Sequence, residues 1–251
     1  MIDIHAHYDD DAFDSDRDEL LQGLFTEKGV NGIINAGCNL ESSLYSVKLA
    51  ERYDGMYAAV GFHPQEVDAF KEGDLEIIKS LLTHPKVVAI GEIGLDYHWV
   101  SDNKEQQKSL FRKQLELAVE TNMPVVIHER DCVADCLEIV LDYDVKGVFH
   151  AFSGSKETAK ILLDRGWYIS FPGTVTFKNA RNPVENALYV PDERILTETD
   201  APYLTAHPFR GKRNDSSYMR YTLEKLAEIR GTTFEYIERI TEENAKRLFR
   251  I

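Results

Sequence analysis

The sequence predicts a single parallel (β/α)8 TIM barrel, and three observations carry that prediction. Eight short apolar runs alternate with longer amphipathic stretches, which is the pattern of β/α units. The 251 residues, 43% of them hydrophobic, can bury one large core, as one barrel requires. Histidines and carboxylates recur at or just after the C-terminal ends of the apolar runs, the end at which such barrels do their chemistry. No repeat, low-complexity tract or linker-like Pro/Gly/Ser run interrupts the series, so residues 1–251 are expected to form one domain.

Taken in order, strands are expected at Ile2–His5, Gly32–Ala36, Tyr57–Gly61 and Val87–Gly91, then at Pro124–His128, Gly147–His150, Trp167–Phe171 and Ile195–Thr199. Helices are expected between them at Arg17–Glu27, Leu40–Glu51, Leu75–Leu82, Lys104–Thr121, Val133–Leu141 and Lys156–Asp164, with shorter or weaker patterns at Val184–Leu188, Ser217–Arg230 and Phe234–Arg250. The cleanest is Gln107–Glu120, whose Leu110, Phe111, Leu115, Leu117 and Ala118 follow a three-to-four spacing. Near the end, Thr241-Glu242-Glu243-Asn244 is a segment at which the last helix is able to restart.

Charge and cysteine content narrow the function. Lys and Arg number 29 against 43 Asp and Glu, a net charge of −14. That argues against broad wrapping of nucleic acid, which depends on neutralising many phosphates. It leaves room for a small phosphate-binding cleft whose positive charge comes from metal ions and a few local bases. Cys38, Cys132 and Cys136 have no disulfide-framework spacing, and no apolar run is long enough to span a membrane. The strand pattern opens at Ile2, with no leader ahead of it, so the cytoplasm is the expected compartment.

The chemistry begins at Asp3-Ile4-His5-Ala6-His7. On a strand, His5 and His7 lie on one side, because side chains repeat every second residue, and neutral imidazole is a common metal ligand. Glu92, His128, His150 and Asp200 recur at later strand ends. Four histidines and two carboxylates exceed what one tetrahedral ion needs, so two divalent ions sharing a carboxylate are expected, with Zn²⁺, Mn²⁺ or Mg²⁺ as suitable occupants. Paired ions of this kind serve hydrolysis.

The ordered motifs resemble the TatD family of metal-dependent deoxyribonucleases. They are Asp3-Ile4-His5-Ala6-His7, Gly61-Phe62-His63-Pro64, Gly91-Glu92-Ile93-Gly94-Leu95-Asp96-Tyr97, Val126-Ile127-His128, His150-Ala151-Phe152-Ser153-Gly154, Thr199-Asp200-Ala201-Pro202-Tyr203-Leu204 and Arg210-Gly211-Lys212-Arg213-Asn214. The resemblance covers essentially the whole chain. It implies an amidohydrolase-related TIM barrel that cleaves phosphodiesters at DNA ends, with single-stranded ends as the expected substrate. It further implies His5, His7, Glu92 and Asp200 at one ion and Glu92, His128 and His150 at the other, with Asp200 and Glu92 as catalytic residues. Asp200 would also hold or deprotonate the attacking water. Three positions depart from the family pattern: Tyr8 replaces an aliphatic residue, Ala151 a frequent cysteine, and Asn214-Asp215-Ser216 a common Asn-Glu-Pro.

Beyond the ligands, His63 is expected to hydrogen-bond near the site, Asp96 either to orient a ligand histidine or to serve as a turn or cap residue, and Glu198 to point with Asp200 toward the barrel interior behind the ligands. Arg130, Arg210, Lys212 and Arg213 are expected to meet substrate phosphate, the last three in a loop that Gly211 leaves flexible. The competing reading is an amidohydrolase acting on an amide, ester or lactone of a small molecule; fold alone does not choose between the two.

Overall fold

The computed structural model describes residues 1–99 and 102–251. Its sheet has eight strands in sequence order, a TIM-barrel arrangement with helices between the strands. These strands are β1 (Ile2–Ala6), β2 (Gly32–Ala36), β3 (Met56–Val60), β4 (Val87–Asp96), β5 (Val125–Arg130), β6 (Gly147–Phe149), β7 (Tyr168–Phe171) and β8 (Ile195–Thr197). The helices are α1 (Arg17–Glu27), α2 (Leu40–Arg52), α3 (Asp74–Leu81), α4 (Lys104–Thr121), α5 (Val133–Val140), α6 (Lys156–Asp164), α7 (Arg181–Tyr189), α8 (Met219–Arg230) and α9 (Phe234–Phe249). No described helix is long and apolar enough to cross a membrane.

The chain falls into two compact units, Met1–Asn35 with His150–Ile251, and Ala36–Phe149. In the first, β1 pairs with β2 and β7 with β8, all parallel. All five residues of β1 are buried, so its polar Asp3 and His5 must find internal partners. Helix α9 is capped by Thr233, whose side chain accepts from the Tyr236 amide. It does not restart at Thr241. The Thr241 hydroxyl turns back to the Ile237 and Glu238 carbonyls, as Thr does inside a helix, and Ile237, Ile240, Ala245, Leu248 and Phe249 make one continuous buried stripe.

In the second unit, β3, β4, β5 and β6 pair in parallel. Strand β4 runs five residues beyond the expected end at Gly91, because its ladder with β5 continues through Gly94↔His128 and Leu95↔Glu129 to Asp96↔Arg130. Glu92 and Asp96 therefore lie within a strand, as does His128. Gly94 sits at φ +146, and a Cβ there would land on the His128 carbonyl. Only glycine lets the two backbones come so close. Helix α4 buries Leu110, Phe111, Leu115, Leu117 and Ala118 as its spacing predicts, and with them Gln107 and Gln114.

Candidate functional site

In the first unit, a short backbone zipper sets the geometry. The Asp200 amide donates to the His5 carbonyl at 3.0 Å, and the His7 amide to the Ala201 carbonyl at 2.7 Å. This brings Asp200 beside the two histidines. Asp200 takes φ +57, a left-handed conformation that Asp tolerates better than most residues. His5 Nε2 and His7 Nε2 are 3.1 Å apart, and Asp200 Oδ1 is 3.6 and 3.5 Å from them. The ring of His150, which follows β6, stacks on His5 at 4.0 Å.

Those separations are informative about a cation. Ligands at roughly 2.0–2.1 Å from one ion lie about 2.8–3.4 Å from each other, from octahedral to tetrahedral geometry. The three observed distances fall within a few tenths of an ångström of that window, and the three donors are of the type divalent ions take. His5 is fully buried, whereas the Asp200 side chain keeps 15% exposure, so its carboxylate faces both the donors and solvent. Burial works to raise the Asp200 carboxyl. The hydrogen bond from His7 and the nearby His5, His150 and His7 rings outweigh it and hold the pKa below the ordinary value.

A polar network supports this cluster. Asp3 accepts from Ser216 Oγ at 2.6 Å, Thr199 Oγ1 at 2.5 Å, the Thr199 amide at 3.0 Å and the His5 amide at 3.3 Å. Burial still pushes its pKa up to about 7 against those bonds. The Ser216 amide donates to the Tyr8 hydroxyl at 2.8 Å. With Ser216 Oγ donating to Asp3, the Tyr8 hydroxyl is left to donate to Ser216 Oγ, also at 2.8 Å. Two of the three departures from the family pattern, Tyr8 and Ser216, are thus partners: a proline at 216 would lack the amide proton that Tyr8 uses. Asn214 completes the frame by donating to the Thr199 and Tyr203 carbonyls. Glu198 Oε1 accepts from the Ala151 amide at 2.6 Å and lies 3.4 Å from His150 Nδ1, where it can orient that ring.

The second unit assembles another donor group, His63, Glu92 and His128. Glu92 Oε1 is 2.7 Å from His128 Nδ1 and 3.7 Å from His63 Nε2, and the two rings meet edge-on at 4.4 Å. Asp96 Oδ2 lies 3.0 Å from His128 Nε2 and also accepts from Gln65 at 3.2 Å, while its Oδ1 takes the His98 amide at 2.9 Å. Burial raises the Asp96 carboxyl, but the hydrogen bonds from His128 and His98 and the nearby imidazoles bring it down to about 2. A carboxylate bound to the far nitrogen of a histidine fixes which nitrogen is free to ligate.

Two glutamines of α4 hold this group from behind. Gln114 accepts from the Phe62 amide at 2.7 Å and donates to the Phe62 carbonyl at 3.0 Å, one residue before His63. Gln107 makes the same pair with the Asp96 backbone at 2.9 and 3.0 Å. Sequence reasoning reads His63 as a hydrogen-bonding neighbour of the site, and it passes over Gln107, Gln114, Asp3 and Asn214 as site-building residues. The available signal was polar side chains in otherwise apolar faces, two of them seven residues apart on α4.

The basic residues separate by environment. Arg130 is exposed, with its guanidinium 5.3 Å from the Trp99 ring centre. Arg210 and Lys212 line an open groove of about 560 Å³ together with Asp10, Phe177, Tyr203 and Arg213. Arg213 is held by both oxygens of Asp16 at 2.7 and 2.6 Å and donates to the Ala12 carbonyl, so an acidic partner already offsets its charge.

A parallel β/α barrel with clustered His, Asp and Glu donors at its strand ends has the make-up of a metal-dependent hydrolase. The family model described as TatD related DNase matches residues 2–250, and the chain belongs to that family. It is 46% identical to a Bacillus subtilis (strain 168) protein named an uncharacterized metal-dependent hydrolase, YabD, over 100% of this chain and 99% of the other. It is 32% identical to the 3'-5' ssDNA/RNA exonuclease TatD of Salmonella typhimurium, over 100% and 99% of the two chains. Among solved structures, YJJV, a TatD homologue from Escherichia coli K12, superposes with a TM-score of 0.94 at 31% identity, covering 100% of this chain and 98% of that one.

Proposed function

We propose that this hydrolase cleaves phosphodiester bonds at single-stranded DNA ends with two divalent ions. The observation that carries the reading is the donor geometry at Asp200, where two imidazole nitrogens and a partly exposed carboxylate converge at ion-sized separations. His5, His7 and Asp200 would hold one ion. Glu92 and His128, with His150 as the family resemblance implies, would hold the other, and Glu92 is taken to serve both. Bound ions of this type polarise a phosphoryl oxygen and make water a nucleophile near neutral pH. Asp200 accepts the proton of the attacking water, a role open to a carboxylate that touches both the donor cluster and solvent. Arg210, Lys212, Arg213, Arg130 and His63 are proposed to hold the strand. The relative named as an ssDNA/RNA exonuclease supports the substrate class.

The test strips the protein of metal, refills it with Mn²⁺, Zn²⁺ or Mg²⁺ singly, and assays end-labelled DNA beside a panel of small esters, lactones and amides. Metal analysis should give more than one equivalent per chain. Asp200→Asn should abolish most turnover while sparing one bound ion, and Glu92→Gln should weaken both. Metal-restored turnover of an ester or amide but not of DNA would replace the nuclease reading with the small-molecule one. A saturated content of one ion would refute the paired arrangement.

A further inference from the structure

Tyr203 stands out among the groove residues because it is held firmly yet left uncovered. Its amide donates to the Asp200 carbonyl at 2.8 Å, its carbonyl accepts from Asn214 at 2.6 Å, and its hydroxyl donates to Asp10 Oδ2 at 2.7 Å. The residue nevertheless remains 53% exposed, with its ring centre 6.4 Å from that of His7. A large aromatic face whose backbone is tied at both ends and whose hydroxyl is anchored costs little further ordering when something stacks on it. The other Asp10 oxygen is engaged by the Ala12 amide.

The cations of the groove complete the pattern. Arg210 lies over Phe177 at 4.6 Å and Lys212 over Phe209 at 5.3 Å. Among the described residues neither has a carboxylate within ion-pair distance, although the chain carries a net charge of −14. An exposed aromatic platform beside two uncompensated cations is the combination that binds unpaired nucleotides: the base stacks and the phosphate meets the charge. The cavity, about 560 Å³, is within the usual range for small-ligand sites.

We propose that this groove is a subsite for one unpaired nucleotide, with its base stacked on Tyr203 and its phosphate held by Arg210 and Lys212. The inference rests on the phosphodiesterase reading and adds to it a base-dependent but sequence-tolerant grip next to Asp200. Such a grip selects frayed or single-stranded ends, because a paired base cannot leave its stack without cost.

The test uses the full chain loaded with Mn²⁺ and two short strands with uncleavable phosphorothioate linkages, one of thymidylate and one abasic. Binding is read by fluorescence anisotropy, and cleavage of ordinary end-labelled DNA by wild type is scored separately. Wild type should prefer the thymidylate strand by a factor in the range of about 5- to 150-fold, the usual effect of one stacked base. Tyr203→Ala should erase that preference. Tyr203→Phe should keep it, because stacking survives the loss of the Asp10 hydrogen bond, and this separates a ring effect from a loop that has fallen apart. Equal affinity of wild type for the two strands would overturn the subsite, as would a preference that persists in Tyr203→Ala or vanishes in Tyr203→Phe. If the strands bind with base preference but ordinary DNA is never cut, the phosphodiesterase reading fails while the subsite stands.

Discussion

Replacing Asp96 by Asn separates a residue that positions a metal ligand from one that merely fills space. The side chains are nearly isosteric, but Asp96 receives donors on both oxygens: the His98 amide on Oδ1, and His128 Nε2 with Gln65 Nε2 on Oδ2. An amide has one accepting end. If the Asn oxygen serves His98, its NH₂ faces the donors of His128 and Gln65; if it is flipped, it opposes the His98 amide. Losing one charge-assisted hydrogen bond costs about 1.5–3 kcal/mol, and each 1.4 kcal/mol is tenfold in affinity. The expected result is roughly 10- to 100-fold weaker Mn²⁺ binding at the ion held by His128, in line with other carboxylates that orient ligand histidines. Calorimetric titration of metal into stripped protein reads the two ions as separate phases, and thermal unfolding of the stripped protein checks the fold. The His5–His7–Asp200 phase should be unchanged. Unaltered affinity in both phases with an intact fold would refute the positioning role, and an equal loss in both with a lowered Tm would make Asp96 a structural residue only.

Other expectations follow from the same geometry. Gln107→Ala leaves the buried Asp96 amide and carbonyl unpaired, so unfolding in urea should show a loss of about 1–3 kcal/mol per group stranded; an unchanged midpoint would mean that water replaces the side chain. Tyr8→Phe and Ser216→Ala should each destabilise, and a double-mutant cycle should return a coupling of about 0.5–3 kcal/mol, as for residues in one hydrogen-bond network; additive effects would show that the two positions act independently. Arg210→Ala with Lys212→Ala should raise KM for DNA more than it lowers kcat, the mark of lost uniform binding. The salt dependence of strand binding should fall by about 0.7 log units per lost contact; an unaltered slope would make the loop a solvated charge run. By contrast, Arg213→Ala should affect DNA binding less than either, because Asp16 already offsets its charge.

The sequence by itself determined the barrel and set candidate donors at its strand ends. Eight apolar runs separated by amphipathic stretches allow few other folds, and a barrel gathers its strand ends whatever the loops do. His5 and His7 could be placed on one face from their spacing alone, because alternation along a strand is a local property of the backbone. Tertiary structure decided what local rules cannot reach. Strand β4 extends to Asp96 because β5 pairs with it that far, and that depends on Gly94 lying against the His128 carbonyl, a contact between residues 34 positions apart. In the same way, α9 runs unbroken through Thr241 because its buried face is continuous, although the sequence there offers a new start. The roles of Gln107, Gln114, Asp3 and Asn214 were illegible for a related reason. Each is a polar residue whose partners are distant in the chain, and propensity describes a residue's neighbours in sequence rather than in space. The pairing of Tyr8 with Ser216, 208 residues apart, is the clearest instance: two separate oddities in the sequence become one hydrogen-bonded unit because burial leaves each polar group dependent on the other.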